Sequence, residues 1–150
     1  KMSGERVQVE STGAVPMDVI RDKGVRGAPD VDAFATASDG KAMVMIWNYQ
    51  DRVREDPAAA ANVTVRGLPK GVTRVRIREW RIDETHSNAY TAWKAMGSPA
   101  HPTTQQTAKL QAAGQLQQVG IAKSVAAANG EVHLDQTLPG ESVTLYEVSW

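Results

Sequence analysis

Turn signatures at short intervals constrain this chain more than any other feature. Asp39-Gly40 separates the apolar segments 34–37 and 42–47, and Asn129-Gly130 precedes the segment 131–134. Both dipeptides supply the positive φ angles of tight hairpins. Pro69-Lys70-Gly71 separates 62–68 from 72–82, and Pro139-Gly140 separates 132–138 from 142–148. Strands broken this often by turns predict a mainly β fold, an antiparallel β-sandwich rather than βαβ units.

The faces of these strands differ. Val63 and Val65 alternate with Thr64 and Arg66, the pattern of a strand with one wet face. Val143 and Leu145 alternate less cleanly with Thr144, Tyr146 and Val148. Ala42-Met43-Val44-Met45-Ile46-Trp47 has no polar face, which predicts a central strand covered on both sides. One cover is the opposite sheet; the other is either a helical insertion or a domain outside this chain. In the segment 72–82, Val75 and Ile77 share one face, and Trp80 and Ile82 the other. A bulge or bend near Arg78-Glu79 would turn both pairs inward. Arg74, Arg76 and Arg78 then form a basic row, either a solvated face or an interdomain contact.

A short two-helix insertion is predicted over about residues 87–113. Ala89, Ala92, Trp93 and Met96 fall at i, i+3, i+4 and i+7, one apolar stripe. Ser87 is the expected N-cap, Gly97 suits the left-handed residue after a helix, and Pro99 blocks continuation. Thr103 with Gln106 fits a capping box, and Gly114 the stop. Residues 57–61, a Pro followed by four Ala, read as a surface loop.

Composition closes off several function classes. At 150 residues the chain is about one domain, large enough for a hydrophobic core. Its 17 basic and 17 acidic residues cancel, so charge provides no reason to expect nucleic acid or an anionic membrane as partner. No apolar run approaches the roughly 20 residues of a membrane span. Without cysteine there are no disulfides or thiolate metal sites, and cytoplasm, periplasm and exterior all remain open.

Candidate chemistry is sparse. A glycosidase needs two opposed carboxyl groups, one held protonated near neutral pH. Asp30 with Asp32 and Asp83 with Glu84 are the nearest pairs by sequence, but a turn-like segment and a strand-to-helix junction explain them without catalysis. His86, His101 and His133 lack metal-ligand spacing, and no phosphate or dinucleotide loop is present. No catalytic residue, metal or cofactor is therefore assigned. Trp47, Trp80, Trp93 and Trp150, with Tyr49, Tyr90 and Tyr146, are read as packing or interface residues, with stacking on sugar rings as the alternative.

One segment is more specific. His86-Ser87-Asn88-Ala89-Tyr90, then Trp93, Met96-Gly97-Ser98-Pro99 and Pro102-Thr103, resembles a signature of glycoside hydrolase family 39, the family of β-xylosidases and α-iduronidases. Trp47-Asn48-Tyr49, Gly67-Leu68-Pro69, Leu138-Pro139 and Val143-Thr144-Leu145 add weaker support. The β-xylosidase branch is the more similar, and residues 2–9 resemble the turn leaving the catalytic barrel. The resemblance implies that residues 1–150 are one C-terminal β-sandwich accessory domain, with a helical excursion over 84–114. A (β/α)₈ barrel would lie upstream and carry both catalytic glutamates, since this chain has no Asn-Glu pair. Trp47, Trp80, His86, Asn88, Tyr90 and Trp93 are then the structural or interdomain residues, with the barrel as partner and a homo-oligomer contact as a further expectation. A free-standing carbohydrate-binding module and an assembly module are the alternatives.

Overall fold

The computed structural model describes residues 2–51 and 57–150. The elements run β1 (Glu5–Arg6), α1 (Met17–Lys23), β2 (Asp30–Ser38), β3 (Lys41–Tyr49), β4 (Ala59–Arg66), β5 (Arg74–Ile82), α2 (Ala89–Ala95), α3 (Thr104–Ala113), β6 (Gln117–Gln118), β7 (Lys123–Ala126), β8 (Glu131–Leu138) and β9 (Ser142–Ser149). All strand pairings are antiparallel. A larger sheet has the order β1-β2-β3-β9-β5-β6, with β7 also on β5; a smaller one, among the described residues, pairs β4 with β8.

Of the four turns, Asp39-Gly40 makes a hairpin within one sheet, with Ser38 opposite Lys41 and Gly40 at φ 69°. The other three carry the chain between sheets. Pro69-Lys70-Gly71 leads from β4 to β5, Asn129-Gly130 leads into β8, and Pro139-Gly140 leads from β8 to β9. Asn129 and Gly130 both have positive φ, 54° and 77°, and the Ala128 and Glu131 backbones bond reciprocally at 3.0 and 2.9 Å. That is the geometry the dipeptide favours. Turn chemistry determines the reversal, whereas the strand faces decide which sheet each flank joins.

The main core lies between the sheets. Ala35, Ala42, Val44, Ile46, Val75, Ile77, Tyr146 and Val148 of the larger sheet meet Ala61, Val132, Leu134 and Leu138 of the smaller one. Asn48 ties the strand ends together: its buried amide donates to Pro57 O at 2.9 Å and Leu138 O at 3.2 Å.

The bulge expected near Arg78-Glu79 is absent. Pairing of β5 with β9 is continuous from Arg76 opposite Ser149 to Ile82 opposite Val143. Val75 and Ile77 enter the main core, while Trp80 joins Met43 and Leu145 in a second cluster on the opposite face. The larger sheet is apolar on both faces, so no break in parity is needed.

Three helices form among the described residues instead of two. The unexpected α1 has no side-chain cap and buries none of its seven residues, so it left no periodic signal. Helix α2 is capped by Asn88, not Ser87; the Asn88 side chain accepts from Tyr90 N and Thr91 N. Ser98 N bonds Trp93 O and Gly97 N bonds Lys94 O, a Schellman-type ending with Gly97 at φ 82°. Helix α3 carries the full Thr103–Gln106 capping box. No residue of either helix is buried, so the apolar stripe through Trp93 is only half-covered. Residues 57–61 are not a loop throughout, because β4 begins at Ala59 and Ala61 is buried.

Leu138 is wholly buried where the two sheets close. Leu138→Ala is expected to cost about 3 kcal/mol. Chemical denaturation measures it, and a loss under about 1 kcal/mol would show that the site collapses around the truncation.

Candidate functional site

The strand-to-helix junction after β5 is organised by one carboxylate. Asp83 Oδ1 accepts from Thr85 N and His86 N, both at 2.7 Å, and from the Thr85 hydroxyl at 3.0 Å. The His86 Nδ1 atom lies 3.0 and 3.1 Å from the two Asp83 oxygens. Asn88 donates from its amide to Asp83 O at 2.9 Å. Ser87, at φ 54°, donates its hydroxyl to Arg81 O at 2.7 Å and accepts Gln117 N at 2.8 Å, which ties α2 to β6. Burial opposes the charge on Asp83, but the bonds from Thr85 and His86 outweigh it and hold the carboxyl below the usual carboxylate range.

These bonds join the end of β5 to the start of α2. A glycosidase acid needs its pKa raised toward neutrality, and that of Asp83 is lowered. Glu84 beside it is exposed. In the other pair, Asp30 accepts Val15 N at 2.7 Å through one oxygen and Trp47 Nε1 at 2.8 Å through the other, while Asp32 accepts Ala33 N at 2.7 Å. The Ser87 hydroxyl is engaged both as donor, to Arg81 O, and as acceptor, from Gln117 N. Among the described residues, no three His, Asp or Glu side chains converge as a metal site.

A second candidate surface is the outer face of the larger sheet. Cross-strand register aligns Phe34, Met45, Leu145 and Trp80 in one row, and Asp32, Trp47, Val143 and Ile82 in the next. Met43, Leu145 and Trp80 are buried, with Met2 packed against them. The Arg6 guanidinium lies 5.5 Å from the Phe34 ring centre, and that of Arg78, paired with Glu147, 5.7 Å from Trp80. The remainder is less covered: Phe34, Met45, Trp47 and Val143 are half-buried and Ile82 is 45% exposed. A groove of about 430 Å³ continues the face between α1 and β3, lined by Ile20, Asp30, Trp47, Tyr49 and Val143.

The six residues singled out in the sequence therefore do not form one site. His86 and Asn88 belong to the Asp83 junction, and Trp80 and Trp47 to the outer face. Tyr90 and Trp93 sit on α2, their rings stacked at 5.6 Å and 24°. Trp93 Nε1 donates to Pro99 O at 3.1 Å, and the Lys94 ammonium lies 4.8 Å from the Tyr90 ring. Sequence reasoning missed Phe34, Met45, Val143 and Leu145 as one surface, although two-sided apolarity was the signal for it.

The family model for glycosyl hydrolases family 39 matches residues 1–131. The chain belongs to that family. It is 28% identical over 110 residues to a β-xylosidase of Geobacillus stearothermophilus, a match covering 73% of this chain and 21% of that protein. Among solved structures, it is similar to a bacterial orthologue of human α-L-iduronidase (TM-score 0.64, 24% identity, 89% of this chain and 23% of the other). It is also similar to a monomeric β-xylosidase from Caulobacter crescentus (TM-score 0.56, 24% identity, 78% and 26%). These structural likenesses establish the shared fold. The family 39 chain described here thus spans only about a fifth to a quarter of the length of such relatives.

Two outcomes test the junction. With its folded pKa depressed, Asp83 contributes stability that is full above the ordinary carboxylate value of about 4 and is lost as pH falls through the folded value. Thermal unfolding of Asp83→Asn across pH should show a deficit at neutral pH that narrows in acid; a constant deficit would exclude the carboxylate charge. Asn88→Ala should cost about 1 kcal/mol by loss of the helix cap, read from the denaturation midpoint.

Proposed function

We propose that these 150 residues are a noncatalytic C-terminal β-sandwich domain of a β-xylosidase-like glycosidase. The parent would hydrolyse xylo-oligosaccharides to xylose with retention of configuration, using two glutamates of an upstream (β/α)₈ barrel. The domain would cover barrel surface and hold the loops at the rim of the active site.

The observation that carries this reading is the half-covered apolar outer face of the larger sheet. Phe34, Met45, Trp47, Val143 and Ile82 form a contiguous surface of the kind that marks an interaction site. The span of a fifth to a quarter of family relatives supports a large neighbouring domain as its cover. The carboxylates here support the noncatalytic part, since each Asp30 oxygen already accepts a bond from the fold and the Asp83 carboxyl is held below the usual range.

A second reading, carbohydrate binding, is favoured by one feature: Tyr90 is 62% exposed on α2. Its stacking on Trp93 and the nearby Lys94 ammonium leave less of that ring for a sugar.

The purified 150-residue chain is expected to hydrolyse no aryl-β-xyloside; turnover by it would end the noncatalytic assignment. Ile82→Glu should lower the melting temperature of the longer enzyme while leaving the 150-residue chain within about 0.5 kcal/mol of its unaltered stability. Equal effects in both would remove the outer face as the interdomain contact. Heat on titrating xylo-oligosaccharide into the 150-residue chain, abolished by Tyr90→Ala, would favour the second reading.

A further inference from the structure

The outer face of the larger sheet has a second half, and it is cationic. Beyond the row of Trp80 and Phe34, register sets Arg78, Glu147, Met43, Thr36 and Arg6 side by side. The row after that holds Arg76, Ser149 and Lys41. Arg74 extends this end toward β7, where its guanidinium donates to the Ser124 hydroxyl at 2.9 Å and to Ser124 O at 3.1 Å. The basic row of β5 thus lies on the outer face, joined there by Lys41 of β3 and Arg6 of β1.

Little on the face offsets this charge. Glu147 is taken by Arg78. Asp30 and Asp32 stand at the apolar end, where each already accepts bonds from the fold. Among the described residues Arg6, Arg74, Arg76 and Lys41 have no ion pair. The chain as a whole is neutral, so the charge gathered here is balanced elsewhere on the molecule.

The two halves interlock. The Arg6 and Arg78 guanidinium groups lie 5.5 and 5.7 Å from the ring centres of Phe34 and Trp80. A surface laid on those rings meets the cations as well. In water each cation is solvated; beneath a covering surface that solvation is lost, and an unpaired charge there is far costlier than an unburied apolar side chain.

We propose that the domain covering this face in the longer enzyme is acidic where it meets Arg76, Lys41 and Arg6, and that its carboxylates pair with them beside the apolar contact. This rests on the reading of the outer face as the interdomain contact. Arg76 and Lys41 flank Ser149 at two strand spacings, about 10 Å, so one carboxylate seated over Ser149 reaches both long side chains. The apolar half attaches the partner in nearly any orientation, and the ion pairs fix which way round it sits. A second copy of this chain fits the face poorly. A two-fold contact sets the same patch on both sides, which places cations against cations or against the apolar half and neutralises neither.

Thermal unfolding of the full-length gene product tests this with Arg76→Glu, and with Lys109→Glu as control. Both positions are exposed, the two substitutions change net charge alike, and Lys109 lies on α3. In about 0.05 M salt, Arg76→Glu is expected to lower the melting temperature at least about twice as far as the control, with Arg76→Gln between them. The excess is expected to shrink in about 1 M salt, where the screening length falls to about 3 Å. Equal shifts for the two reversals would overturn the ion pairs, while a loss from Ile82→Glu in the same protein would leave the apolar contact standing. Silence of both Arg76→Glu and Ile82→Glu would remove the contact itself. An excess that grows with protein concentration would assign the face to a second copy and overturn the acidic domain.

Discussion

The alternation of side chains along β3 is the constraint on which the rest of the structure depends. Successive residues of a strand face opposite sides of the sheet, and β3 is apolar on both. Ala42, Val44 and Ile46 point to the core under β4 and β8, while Met43 and Met45 point away from it. Its neighbours repeat the division, with Tyr146 and Val148 against Leu145 on β9, and Val75 and Ile77 against Trp80 on β5. One strand thus commits the protein to two apolar layers. Full burial of a single large apolar side chain is worth about 1.5–3 kcal/mol. A row of several left half in water is a substantial fraction of the 5–15 kcal/mol that separates a folded domain from its unfolded chain.

The helical excursion obeys a different rule. Helices of seven and ten residues are marginal in water, and neither α2 nor α3 gains a buried residue. Their ends therefore carry much of their stability. Asn88, the Thr103–Gln106 box and the Gly97–Ser98 ending satisfy backbone groups that would otherwise be orphaned. Asp83 extends the device into the strand by gathering the amides of Thr85 and His86, so the direction of the excursion is set where β5 stops. His86, Ser87 and Asn88 bond across this joint, which gives a physical reason for those residue types at those positions.

Features with local causes were legible from residues alone. Asp39-Gly40, Asn129-Gly130, Gly97 and the Thr103 capping box depend on φ angles and side-chain reach within a few positions. The two-sided character of β3 was legible because no polar residue interrupts positions 42–47. Features decided by tertiary contacts were not. The bulge in β5 was inferred on the premise that all its apolar residues share one core, whereas Trp80 serves a second. Ser87 is a good N-cap by type, but its hydroxyl is engaged by Arg81 and Gln117 from another strand, which shifts the cap to Asn88. Helix α1 and strand β6 bury no side chain, so neither imposed a period on the sequence.

Two boundaries of the sandwich differ in kind: the outer face of the larger sheet, and the edge of β8 away from its ladder with β4. The outer face of the larger sheet presents side chains, whose burial is favourable in nearly any orientation and scales with area. The open edge of β8 presents backbone groups, whose bonding is directional and demands one register. A partner held by the first alone would be attached without being aligned. A strand held by the second alone would be aligned but weakly attached, because each backbone bond exchanged with water contributes only about 1 kcal/mol. The two boundaries share strands, since β9 and β5 contribute to the apolar face outside and to the core under β8 within. The core strands thus couple the two boundaries, so that a change in packing at the face is felt at the strand ends beneath β8.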